Sequence, residues 1–263
     1  MENMSMKEIA GFLRDEVRLK TLPIAVRFLK DQAQFPDKTR RPSVTLGKRV
    51  TICQGVTMAR NYGWTVGLTR EDLVCVPAMI TFGFTDAPDQ AGSLTRLFCE
   101  IGFTSNEEGA RRELEVMHRF DNREYEALVL SPLAKDLYDP DVVVIYGNPA
   151  QIMRLIQAWT YVRGGRVDGC FGGKVECEEY LIAPFKSQSA RVSIPGNGDR
   201  IFSGTQDDEM TFAIPGRDLN DLVRGLMESG KKVGARYPVT PYMNYQPEFP
   251  KAHVSMGKEL GIF

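Results

Sequence analysis

The sequence predicts an α+β protein: a mixed sheet with packed helices in a single compact domain, followed by an extended C-terminal tail. Three observations carry that expectation. Amphipathic stretches of helical period alternate with short apolar runs of strand length. The densest run, Val142–Tyr146, is almost wholly aliphatic, as a strand covered on both faces should be. A chain of 263 residues that is 43% hydrophobic and 25% charged is long enough for a proper core and too ordinary for a collagenous, low-complexity or coiled-coil reading. The expected division is a domain over 1–236 and a Pro/Tyr-rich tail over 237–263.

The elements follow in order. Ser5 suits the cap of a first helix with Ile9, Phe12, Leu13 and Val17 on one face, and Leu22–Leu29 reads as a strand. Pro36, Pro42 and Gly47 break the stretch from Phe35 to Lys48 into an exposed connection. A second helix begins near Cys53 and runs to a stop at Gly63. Thr69 and Asp72 form a capping-box pattern for a short helical segment that carries Cys75 until Pro77 interrupts it. Ser105–Phe120 gives a further amphipathic helix, then strands follow at Ala127–Leu130 and Val142–Tyr146. Asn148 and Pro149 lead into a helix through Trp159, a strand-turn-helix superficially like a nucleotide-binding unit but without its glycine fingerprint. The Gly-rich segment 164–180 permits tight turns and close backbone approach to something bound. RVSIP and EMTFAIP read as the last strands, with Pro215 before a helix from Arg217 to Ser229. The tail interleaves Pro238, Pro241, Pro247 and Pro250 with Tyr242, Tyr245 and Phe249, which resists regular structure yet offers adhesive area for its own body or for a second subunit. A homo-oligomer is the expectation.

Thirty-three Lys and Arg against thirty-four Asp and Glu leave a formal charge of −1, too weak a field to bind nucleic acid by bulk electrostatics. Any anion site must be local. The stretch from Lys38 to Arg70 has no acidic residue and seven basic ones, among them Arg40, Arg41 and Arg60, and it encloses Cys53. Such a segment can hold a carboxylate, a phosphate or an anionic cluster. Asp207, Asp208 and Glu209 read as an acidic turn facing water, and His118 and His253 as isolated structural residues. The N-terminus mixes charges with apolar residues and has no signal-peptide core, and no apolar run spans a bilayer, so a cytoplasmic protein without membrane contact is expected.

Five cysteines, Cys53, Cys75, Cys99, Cys170 and Cys177, cannot all pair internally, and no export signal favours a disulfide framework. Thiolates bind soft metals and iron–sulfur clusters, but the long spacings here mean folding would have to assemble such a site. Cys75 and Cys99 lie in apolar surroundings suited to core thiols, whereas Cys53 at a helix start and Cys177 in the Gly-rich region are the preferred ligands.

The segments PIAVRFL, CQGVTMARNYG, LVCVPAMITFGF, VVVIYGNPAQIMRLIQA, VECEEYLIAPF, GNGDR and DDEMTFAIPGRDL resemble domain-of-unknown-function family 169, from about Leu22 to Leu226. The most specific pieces are Cys53–Gln54, Pro149–Gln151 and Gly198–Arg200. The resemblance implies a prokaryotic, often anaerobic setting and a redox or iron–sulfur connection. It also implies a further cysteine just before the Gly-x-Arg piece, where this chain has Gly196.

The leading expectation is therefore an iron–sulfur protein, of [4Fe–4S] or comparable soft-metal type, with a redox or Lewis-acid role on a small anionic substrate. Its metal ligands would be Cys53, Cys75, Cys170 and Cys177, with Arg60 offsetting charge and the backbone at Gly172 and Gly173 approaching the cluster or cofactor. A second class stays open: a metal-free binding protein for an anionic metabolite or organic cofactor, with core cysteines, or an accessory subunit of a redox enzyme.

Overall fold

The computed structural model describes residues 4–233, 235–239 and 248–262. Its centre is a seven-stranded sheet in the order β2-β3-β1-β4-β7-β6-β5. The strands are β1 (Ile24–Leu29), β2 (Val66–Thr69), β3 (Ala127–Pro132), β4 (Val142–Gly147), β5 (Asp168–Cys170), β6 (Arg191–Ser193) and β7 (Met210–Pro215). All neighbours are antiparallel except β5 and β6, so the sheet is mixed. Register runs from Ile24 opposite Pro132 to Leu29 opposite Ala127, and from Val142 opposite Pro215 to Gly147 opposite Met210. The aliphatic run is the central strand, as expected. Its neighbours β1 and β7 are antiparallel to it, so the following turn and helix belong to no parallel nucleotide-binding unit.

Eleven helices accompany the sheet among the described residues: α1 (Met6–Val17), α2 (Pro42–Thr45), α3 (Ile52–Tyr62), α4 (Val76–Thr81), α5 (Gln90–Glu100), α6 (Glu107–Val116), α7 (Pro149–Arg163), α8 (Cys177–Ser187), α9 (Asn197–Ser203), α10 (Leu219–Val233) and α11 (Lys251–Glu259). Successive side chains of a strand point to opposite faces, and β4 divides accordingly. Val142, Val144 and Tyr146 join the core built with α3, α4 and α8, while Val143 and Ile145 join the core built with α1, α7 and α10. A third cluster, with Leu94 and Phe98 from α5 and Ala110 and Leu114 from α6, flanks the first. The domain is thus a single compact α+β unit with helices on both faces of the sheet.

Local signals explain most element ends. Ser5 caps α1 in a box with Glu8, Thr51 caps α3 in a box with Gln54, and Gly63 ends α3 at φ 69°, where a Cβ would be strained. Asn148 caps α7 in the same way, with Pro149 at the first helical position. Pro77 does not interrupt a helix. It stands in the first turn of α4, where its missing N–H is harmless, and Cys75 is the N-cap. Asn106 rather than Ser105 caps α6, which ends at Val116. The tail also departs from expectation: residues after Pro250 form α11, and His253 stacks on Phe249 at 4.3 Å between ring centroids. Tyr242 and Tyr245 lie outside the described residues. Tyr237 Oη accepts a hydrogen bond from Asn148 Nδ2 at 3.1 Å, so the start of the tail touches the head of α7. No helix among the described residues is long and apolar enough to cross a membrane.

Candidate functional site

The first turns of α4, α8 and α9 converge on a cavity of about 460 Å³. The chain reaches it from four places: Cys53 near the start of α3, Cys75 and Pro77 at α4, the segment from Gly173 to Cys177 entering α8, and the residues from Asn197 to Phe202 of α9. Gly102 and Phe103, beyond α5, close another side. Pro77, Phe103, Val175, Ile201 and Phe202 make most of the wall apolar. Three thiols, the carboxyl groups of Glu176 and Asp199, and the side chains of Lys174 and Asn197 supply its polar lining.

Both carboxyls are almost out of solvent. Asp199 Oδ1 accepts hydrogen bonds from Tyr180 Oη at 3.1 Å and Tyr146 Oη at 3.3 Å. Burial pushes its carboxyl up to about 6 against the opposing pull of those two phenols and of Arg60. Glu176 Oε1 has no hydrogen-bond partner among the described residues, and burial raises this group to about 7. Gly196 makes room for it, because a Cβ there would lie 1.6 Å from Glu176 Oε1. The position at which the family resemblance implied a cysteine therefore accommodates a carboxyl instead.

Arg60 stands behind this wall rather than in the cavity lining. With its side chain 1% exposed, it pairs with Glu209 through Nη1–Oε1 at 2.7 Å and Nη2–Oε2 at 3.1 Å, donates to Thr205 Oγ1, and lies 3.9 Å over the ring of Tyr146. The expected acidic turn is thus only partly solvent-facing, since Glu209 turns inward to meet a charge 149 residues away. Other members of the basic stretch also find partners: Arg41 pairs with Asp72, Arg70 with Asp86, and Arg40 lies over Trp64 at 4.2 Å.

The iron–sulfur expectation is corrected. Among the described residues no group of three or more His, Cys, Asp or Glu side chains is placed to hold a metal ion. Cys53, Cys75 and Cys177 do line one cavity, but Cys170 ends β5 in a different one, beside Gly172. Burial also works against the thiolate form that a metal needs. It pushes Cys53 up to about 12 with the Asp199 charge as the next cause, Cys170 up to about 11, Cys75 upward, and Cys177 far above the ordinary range. Thr51 Oγ1 lies 2.9 Å from Cys53 Sγ, and Cys99 sits 3.6 Å from Thr104 Oγ1 beside the α5–α6 cluster. All five cysteines are free thiols. Of the two expected backbone positions, Gly173 lines the main cavity, and Gly172 donates its N–H to Glu179 Oε1 at 2.6 Å in the other.

Glu176, Asp199, Tyr146 and Tyr180 escaped sequence reasoning as site residues. For Asp199 a signal existed, since it is the centre of the Gly-Asp-Arg piece that carried the family resemblance. Comparison with known proteins bears on that resemblance: the model of DUF169, described as Uncharacterised ArCR, matches residues 12–225. The chain belongs to the DUF169 family. That match spans every strand of the sheet and every residue named at the cavity. This DUF169 chain is also similar to Uncharacterized protein MJ0308 of Methanocaldococcus jannaschii, at 25% identity over 227 residues, covering 86% of the chain and 95% of the relative. No solved structure matches it.

Proposed function

We propose that this DUF169 protein is a metal-independent binder of a small organic metabolite that carries an anionic or carbonyl oxygen on an apolar body. The observation that carries the reading is Glu176, which lines a mostly apolar cavity and whose buried Oε1 has no partner among the described residues. Ligand pockets of this size combine apolar walls with a few convergent polar groups. A buried polar atom without a partner is costly, and a ligand atom can supply what the chain does not. A carboxyl raised to about 7 is protonated in about half of the molecules at neutral pH, and in that form it can donate a hydrogen bond to an oxyanion instead of repelling it. The eleven-residue helix α8, whose N-cap is Glu176, adds a favourable dipole beside that carboxyl. Pro77, Phe103, Val175, Ile201 and Phe202 would cover the ligand's apolar body.

Isothermal titration with a panel of aliphatic and aromatic monocarboxylates, each beside the matched alkane or arene, tests the reading. A carboxylate should bind more tightly than its hydrocarbon counterpart, and Glu176→Gln, which keeps donors but cannot ionise, should abolish the pH dependence of that binding. Equal affinity for carboxylate and hydrocarbon, or no binding by either together with no small molecule released on denaturing the purified protein, would overturn it.

A further inference from the structure

The segment Gly172–Val175 contributes to two cavities, and the second, of about 300 Å³, has a different chemistry. Its lining includes Glu113 from α6, Glu178 and Glu179 from α8, and His118. One oxygen of each carboxyl, Glu113 Oε1, Glu178 Oε2 and Glu179 Oε2, is shut off from solvent and has no hydrogen-bond partner among the described residues. Glu178 and Glu179 are 6% and 3% exposed, so an oxygen left without a donor there is costly. Elsewhere these side chains are committed: Glu113 Oε2 takes Lys174 Nζ at 2.5 Å, and Glu179 Oε1 takes the Gly172 N–H at 2.6 Å. His118 Nδ1 stands 4.0 Å from Glu178 Oε2, beyond hydrogen-bond reach.

Three carboxyl groups line one cavity, each with an oxygen short of a donor, and the one Lys or Arg in the described lining, Lys174, is held by Glu113, so the cavity calls for a further group rich in donors and positively charged. No group of three or more described His, Cys, Asp or Glu side chains is placed for the short contacts of a metal ion, whereas an ammonium works at the longer N–O distances of hydrogen bonds. A primary ammonium brings three N–H donors for three oxygens. Val116, Met117 and Phe171, the last 61% exposed at the rim, offer apolar surface to the carbon chain that bears it. We propose that this second cavity binds the ammonium group of a small organic amine, with Glu113 Oε1, Glu178 Oε2 and Glu179 Oε2 as acceptors and Phe171 against the apolar body. Burial, with the neighbouring carboxyls adding to it, raises Glu178 and Glu179 to about 8, and a bound cation supplies the charge against which they ionise. The site is separate from the one formed by Glu176 and Asp199, so either can fail without the other.

Benzylamine and its uncharged analogue benzyl alcohol are the probes, titrated calorimetrically into the full-length protein. Benzylamine should bind at least about tenfold more tightly than the alcohol, equivalent to ~1.4 kcal/mol. Glu178→Gln and Glu179→Gln should each weaken benzylamine by roughly fivefold or more with an unchanged circular dichroism spectrum, while Glu107→Gln at an exposed pair of α6 should leave it within about twofold. Should either variant fail to fold, the amine-to-alcohol ratio of the wild-type protein decides. Equal affinity for the two probes, absence of benzylamine binding at millimolar concentration, or full affinity in both folded Gln variants would overturn the proposal.

Discussion

Replacing Glu209 with Gln keeps the shape of the Arg60 clamp and removes its countercharge. In the native chain the guanidinium is held by both Glu209 oxygens, at 2.7 and 3.1 Å, by the Thr205 hydroxyl and by the face of Tyr146. The amide retains one acceptor and loses the charge, so a nearly inaccessible cation is left without compensation. Breaking a buried pair on one side costs about 3–5 kcal/mol. For a chain of this size each kcal/mol lowers the melting midpoint by about 2–4 °C, so a drop of roughly 10 °C is expected. Arg60→Met should be comparably damaging. The double variant Arg60→Met with Glu209→Leu should recover much of either loss, because it leaves neither partner orphaned. Urea unfolding of these proteins, with the single variant Glu209→Leu added to close the cycle, measures the coupling, and Glu107→Gln at an exposed pair is a control that leaves the midpoint in place. A cost below about 1 kcal/mol for Glu209→Gln would refute the view that this pair locks α3 to the segment before β7.

Stability should fall as pH rises across the neutral range. Glu178 and Glu179 are raised to about 8 and Glu176 to about 7, chiefly by burial, above an ordinary glutamate value of ~4.3. The folded chain therefore holds more protons than the unfolded one between those values, so the stabilisation is full below the lower value and lost as pH climbs through the upper ones. Thermal melts at a series of pH values should show that decline, and Glu178→Gln or Glu179→Gln should flatten it. An identical slope in both variants would assign the dependence to other groups. Gly196→Ala drives a methyl into Glu176 Oε1 and should lower the melting midpoint, with recovery in the Gly196→Ala, Glu176→Ala double variant; Gly198→Ala, whose Cβ meets only Cys53 Sγ at 3.9 Å, should be mild. Cys53 and Cys177, buried and raised, should react with a thiol reagent in mildly alkaline buffer far more slowly in the native protein than in urea. Labelling of both at the unfolded rate under native conditions would contradict their burial.

Local order was legible in the sequence because its causes are local. Ser5, Thr51 and Asn148 cap helices whose first turns lie within three residues of them, Gly63 ends α3, and the aliphatic run of β4 already states that both of its faces are covered. The family resemblance was likewise carried by short contiguous pieces, and one of them held Asp199. The α+β class follows from the succession of such elements. Strand order does not, because the pairing of β4 with β1 and β7 joins stretches far apart in the chain.

The site belongs to that second kind of information. Cys177, Glu178 and Glu179 are adjacent in sequence, yet one helical turn sends Cys177 to the first cavity and the two glutamates to the second, while Cys170 parts from the other thiols. A charged dipeptide such as Glu178–Glu179 reads as solvated surface from its neighbours alone. Only the packed fold buries it, with α6, His118 and the loop at Gly172 around the same cavity. Glu209 looked like part of an exposed turn for the same reason, since its partner Arg60 sits 149 residues earlier. The sequence by itself determined which segments coil, extend and turn, and that cysteines and carboxyls were available. The tertiary structure decided which of them lost water and met, because desolvation and long-range pairing are properties of the packed chain and not of any window along it.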